Sequence, residues 1–164
     1  MKIREGLKMQ GSITLQAIDI KTNKVVYEKE YKNLLTAPNR DYRLGMLNQA
    51  YLVEGYEIQD LAIKYFALGN TTGAVSESDT ELVNETDRKA LTQIATSGDT
   101  VTTVVQFAGS EANYRIRQIG VFCGDDASAV ADSGLMLSIV NVDFTKNENI
   151  KLNIIRKDVC TING

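Results

Sequence analysis

Short segments that alternate apolar and polar residues, set apart by runs of turn-forming residues, recur along most of this chain. A side-chain period of two restricts such segments to β-strands. Ser12–Asp19 reads Ser-Ile-Thr-Leu-Gln-Ala-Ile-Asp and places Ile13, Leu15 and Ala17 on one inward face. Turn residues at Ile20–Lys24 lead into a second strand, Val25–Lys32, so the two predict a hairpin. Further strands are expected over Leu61–Leu68, Asp99–Ala108, Asn113–Cys123, Leu135–Phe144 and Ile150–Asp158. Arg88–Thr96 favours helix by propensity, but the alternation of Ala90, Thr92 and Ile94 reads as strand. Within Asn113–Cys123, alternation puts Tyr114, Ile116, Gln118 and Gly120 on one face and Arg115, Arg117, Ile119 and Val121 on the other. The period changes once. Thr36 is a capping residue, Pro38 fits a first helical turn, and Leu44, Leu47 and Tyr51 share a face, which predicts a helix over Ala37–Leu52. The expected fold is all-β: an antiparallel β-sandwich of seven or eight strands with one short helix after the first hairpin. Residues 11–164 are read as one domain, and Met1–Gln10, which has no clear period, as a flexible arm.

Composition narrows the chemistry. The 164 residues include no His, which excludes Ser–His and Cys–His nucleophile pairs and His metal sites. They also include no Trp, the usual platform for a sugar ring. Net charge is −3 with pI about 5.1 and no basic run, so no nucleic-acid partner is expected. No apolar run approaches the roughly 20 residues of a membrane helix, and the charged start lacks a signal-peptide core, so synthesis in a cytosol is expected. Cys123 and Cys160 are too far apart for a Cys-x-x-Cys motif and are read as free thiols. The Gly69–Gly73 loop has no lysine and reads as a strand-end turn rather than a phosphate loop. Asp79, Glu81, Glu85 and Asp87 lack EF-hand spacing and read as a solvated acidic loop before a calcium site, as does Asp125–Asp126. Nothing sets two acids on neighbouring strand faces for glycoside hydrolysis. No enzyme activity, metal or cofactor is expected.

Three ordered segments carry a likeness to a known family. They are Tyr-Phe-Ala-Leu-Gly-Asn-Thr-Thr-Gly at 65–73, Ser-Asp-Thr-Glu-Leu-Val-Asn-Glu-Thr-Asp-Arg at 78–88, and Ile-Arg-Gln-Ile-Gly-Val-Phe at 116–122. A strand ending in a Gly-rich turn, an acidic segment with a leucine and a terminal arginine, and a later Ile-Gly strand resemble the bacteriophage tail-collar and tail-fibre attachment domains. The likeness covers about Gly11 to Ile155. It implies a virion structural protein of the tail fibre, collar or baseplate, assembled in the host cytoplasm. Its partners would be further copies of itself, as a homotrimer, and other virion proteins. The alternative it leaves open is a host-receptor or carbohydrate-binding module on the virion, which seven tyrosines clustered on one surface would favour. Leu82, Glu85 and Arg88 match the family's acidic segment, while Gln118 stands where the later strand carries an acid. That implies a structural bridge centred on Glu85 and Arg88 and no ion pair from Arg88 to position 118. Arg115 and Arg117 are read either as structural or as intersubunit contacts.

Overall fold

Ile13, Leu15 and Ala17 are each at most 1% exposed, so the alternation of the first strand translates directly into burial. The computed structural model describes residues 6–37 and 62–163. Its strands are β1 (Gly6–Asp19), β2 (Val25–Lys32), β3 (Leu34–Leu35), β4 (Ile63–Gly69) and β5 (Glu85–Ala90). They continue with β6 (Gln93–Ser97), β7 (Thr100–Phe107), β8 (Arg115–Cys123), β9 (Leu135–Thr145) and β10 (Ile150–Asn163). Two five-stranded antiparallel sheets result, the first ordered β2-β1-β10-β7-β6 and the second β3-β9-β8-β4-β5. One apolar cluster draws Ile13 and Leu15 from β1, Val105 and Phe107 from β7, and Leu152 and Ile154 from β10. From the second sheet it takes Phe66 and Leu68 of β4, Ile119 and Val121 of β8, and Val140 and Val142 of β9. The sheets therefore pack face to face as a sandwich. Each fully buried Leu, Ile or Phe side chain contributes about 1.5–3 kcal/mol relative to exposure.

Four expectations need correction or placement. The described residues form ten strands rather than seven or eight, partly because Arg88–Thr96 is not one strand. It falls on β5 and β6, which lie in different sheets, and the chain crosses between them at Leu91–Thr92. Leu91 packs against the main core, and its N–H bonds to the Lys64 carbonyl of β4 while the Thr92 N–H bonds to Val104 of β7. The predicted arm overlaps β1: Gly6–Gln10 pair with Val159–Asn163 of β10. Two isolated apolar residues, Leu7 and Met9, gave no local period, and the partner strand lies at the other end of the chain. Of the predicted helix Ala37–Leu52, only Ala37, which is helical, lies within the described residues. Thr36, expected as its cap, is buried and its hydroxyl donates to the Met136 carbonyl at 2.6 Å.

Strict alternation also fails inside β8. Its pairing with β9 slips between Ile116 and Gln118. Ile116 and Ile119, an odd number of residues apart, consequently both enter the core between the sheets. Register slips of this kind change which face a side chain joins. They leave no mark in composition.

Candidate functional site

With Ile119 and Val121 turned inward, Gln118, Gly120 and Phe122 face the other way. That outer face of the second sheet is nevertheless buried, because residues 70–84 fold back across it. Leu82 is the plug: 4% exposed, it joins Ala67, Phe122, Met136 and Ile139 in a second apolar cluster. Gly120 makes the seat. A Cβ there would lie 3.0 Å from Leu82 Cδ2 and 2.8 Å from Phe122 Cε2. Gly120→Ala is therefore expected to cost about 1–3 kcal/mol by overpacking. A chemical-denaturation midpoint unchanged from wild type would mean that Leu82 does not sit there.

Two amides hold the same segment down. Gln118 Oε1 accepts the Val83 N–H at 2.9 Å, and its Nε2 donates to Asn141 Oδ1 at 3.0 Å. Asn141 Nδ2 in turn donates to the Gly73 carbonyl at 2.7 Å. Gln118 is fully buried, and an acid at this position would need a proton to replace the donor contact to Asn141. Gln118 thus takes part in a neutral hydrogen-bond chain.

Arg88 closes the arrangement. Residues three apart on a regular strand face opposite ways. Here the β4–β5 pairing slips between Leu68 and Gly69, and Glu85 and Arg88 fall on the same side. Their contact is bidentate, Nε to Oε1 at 2.7 Å and Nη2 to Oε2 at 2.8 Å. Both side chains are 2% exposed. Arg88 Nη1 also donates to the carbonyl and hydroxyl of Ser133, and the Asp132 N–H donates to Glu85 Oε2 at 3.2 Å. The guanidinium carbon lies 4.0 Å from the Phe122 ring centroid, within cation–π range. One ion pair thereby joins β5, the loop before β9 and the Phe122 ring of β8.

Arg115 and Arg117 lie apart from this cluster. Arg115 makes a bidentate pair with Asp143, both contacts at 2.8 Å, and both side chains are more than half exposed. Arg117 Nη1 is 4.0 Å from the same carboxylate. The Arg115 guanidinium holds the Asp143 carboxyl below its usual range. Such an open pair contributes little to folding. Arg115→Ala is expected to leave the melting temperature unchanged.

The acidic segment is used locally. Asp79 Oδ2 accepts the Ser76 N–H at 2.7 Å, and Glu85 is committed to Arg88. Among the described residues no three acidic or Cys side chains form a group able to hold a metal. Of the described tyrosines, Tyr27 and Tyr31 are neighbours, their hydroxyls 3.3 Å apart. Tyr27, Tyr31 and Tyr114 pack on the main core and Tyr65 on the second cluster, while Tyr42, Tyr51 and Tyr56 lie outside the described residues.

Sequence reasoning missed two buried cations. Arg156, 1% exposed, spans the sandwich interior: it pairs with Asp158 through contacts of 2.6 and 2.8 Å and donates to Ser138 Oγ of the opposite sheet at 2.6 Å. Its signal was parity, since Arg156 continues the inward series Leu152, Ile154 and Asp158 follows on the same face. Lys146, 2% exposed, donates to the Gly109 carbonyl and to Asn113 Oδ1 at 3.1 and 2.9 Å. No local pattern marked it.

Burial also sets a pH dependence. It pushes the Cys123 thiol from 9.0 up to about 12, and desolvation with the neighbouring Tyr31 hydroxyl takes Tyr27 from 10.0 to about 12. Groups raised on folding stabilise fully below their unfolded values and lose that contribution as pH rises toward the folded ones. Lys146, lowered by desolvation, acts in the opposite direction. Comparing wild type with Cys123→Ala isolates the thiol: the stability difference between them should shrink or reverse from pH 9 to 12. A difference constant across that window would mean that the thiol is solvated.

No protein-family model, curated protein or solved structure matches this chain.

Proposed function

We propose that this protein is a structural component of a bacteriophage particle, a self-associating β-sandwich module of the tail fibre, collar or baseplate, with no enzymatic role. One observation carries the reading. The residues of the family-like segments, far apart in sequence, meet in one fastening on the outer face of the second sheet. Leu82 sits on Gly120, Gln118 binds Val83, and Glu85 clamps Arg88. This gives the likeness a common physical cause, a loop pinned across a sheet, and assigns those residues to holding the fold. Among the described residues, the sheet edges and the exposed Arg115–Asp143 pair offer surfaces for partners. Self-association and contact with other virion proteins fit such surfaces. A receptor- or carbohydrate-binding role would use clustered exposed tyrosines, and the four described ones are packed against the two clusters instead.

The test is localisation. Purified particles from infected cells should contain the protein at stoichiometric abundance, and antibody labelling should place it on the tail. Its absence from purified particles, or turnover of peptidoglycan or capsular polysaccharide that a single carboxylate change abolishes, would overturn the proposal.

A further inference from the structure

Sheet edges attract further strands unless something blunts them, and natural edges are blunted by charge, brevity or cover. Three of the four edges here follow that rule. β2 carries Glu28, Lys29, Glu30 and Lys32; β3 spans two residues; β5 carries Glu85, Asp87, Arg88 and Lys89. The fourth, β6, reads Gln-Ile-Ala-Thr-Ser, with no charge and no proline. Among the described residues it pairs with β7 on one side and with no strand on the other.

The strand is also uncovered on both faces. All five residues are exposed. The face of β7 that bears Thr103 and Val105 is buried in the core, and Ile94 lies opposite Thr103 in the ladder. Ile94 is nevertheless 63% exposed. The cause is overhang. β5, the edge of the second sheet, approaches β7, so β6 extends one strand beyond its opposite layer.

We infer that β6 pairs antiparallel with β6 of a second copy of this chain, joining the first sheets of two sandwiches into one continuous sheet. The strand is neutral and its midpoint is Ala95, so full antiparallel overlap sets Ala95 opposite its own counterpart. Gln93 then faces Ser97, and Ile94 faces Thr96. No like charges meet across the axis. Ile94 and its counterpart become diagonal neighbours on one face, within reach of each other. Each covers the apolar side chain that the other leaves in water. A strand from an unrelated protein would not carry this symmetry. The two-fold contact closes at a dimer, is separate from any three-fold contact made on a particle, and does not depend on the virion reading.

A five-residue edge buries little area, so the dimer is weak and should appear with rising concentration in sedimentation equilibrium. Ala95→Lys and Ala95→Glu each place like charges opposite one another at the axis and should weaken dimerisation by about fivefold. An equimolar mixture of the two variants should associate at least as tightly as wild type. Position 95 is exposed, so both variants should keep the wild-type circular dichroism spectrum and melting temperature. A wild-type protein that stays monomeric up to millimolar concentration would overturn the inference. So would association that neither charge disturbs, or single variants weakened with no recovery on mixing, which would mean that β6 meets a different segment of the second copy.

Discussion

Arg88→Ala is expected to destabilise the protein by about 3–5 kcal/mol, the range for removing one member of a buried ion pair. Two things produce the loss. Glu85, with its side chain 2% exposed, would lose both guanidinium contacts and keep, among the described residues, the Asp132 N–H. The Ser133 carbonyl would lose its guanidinium donor. Chemical denaturation should register the change as a lower midpoint with an unchanged slope, since the surface exposed on unfolding stays about the same. Glu85→Ala should cost a similar amount, because it strands the guanidinium. The double variant should cost much less than the sum, as residues that share one contact do not add. Additive losses would mean that the two side chains act independently, contrary to their bidentate geometry.

Phe122→Ala should cost about 3–5 kcal/mol through the cavity it leaves. The ring is fully buried, but it lies outside the main core, among Ala67, Leu82, Met136 and Ile139 and under the Arg88 guanidinium. That position makes a second outcome predictable. Residues 70–84 rest on this cluster, so the variant should raise amide hydrogen exchange at Leu82 and Val83 more than at Leu152 or Ile154 in the main core. A loss below about 1 kcal/mol would mean that the cluster collapses around the missing ring. Uniform exchange across both clusters would mean that the segment is not held through Phe122.

Where strands kept their parity, the fold was legible from residues alone. Ile13, Leu15 and Ala17 on β1 and the limits of β2 needed nothing beyond the alternation. Where parity slipped, it was not. Ile116 was grouped with Gln118, although the slip in β8 sends one inward and the other outward. The fastening on the second sheet was legible as residue types but not as geometry. Glu85 and Arg88 were paired in expectation, yet on a regular strand they would face apart, and only the slip opposite Gly69 brings them together. The crossing at Leu91–Thr92 was hidden for another reason. Two residues are too few to interrupt the alternation that runs from Ala90 to Ile94, so two strands read as one.

The central place of β10 has a consequence for the order of events as the chain is made. β1 and β10 pair along their entire length, from Gly6 with Asn163 to Asp19 with Ile150. β10 also bonds to β7 on its other side. Until the ribosome has released β10, the β1–β2 hairpin and the β6–β7 hairpin are two separate ribbons with nothing between them. Isolated two-stranded ribbons are marginal in water. The first sheet must therefore wait until β10 has emerged, and it forms by a step that brings β1 to β10 across all the intervening strands; such non-local closure is slow. During that interval Ile13, Leu15 and Val105 are without their cover. Nascent copies made side by side would meet in that state, which makes recruitment of chaperones, and the spacing of ribosomes on the message, matters of yield for this particular topology.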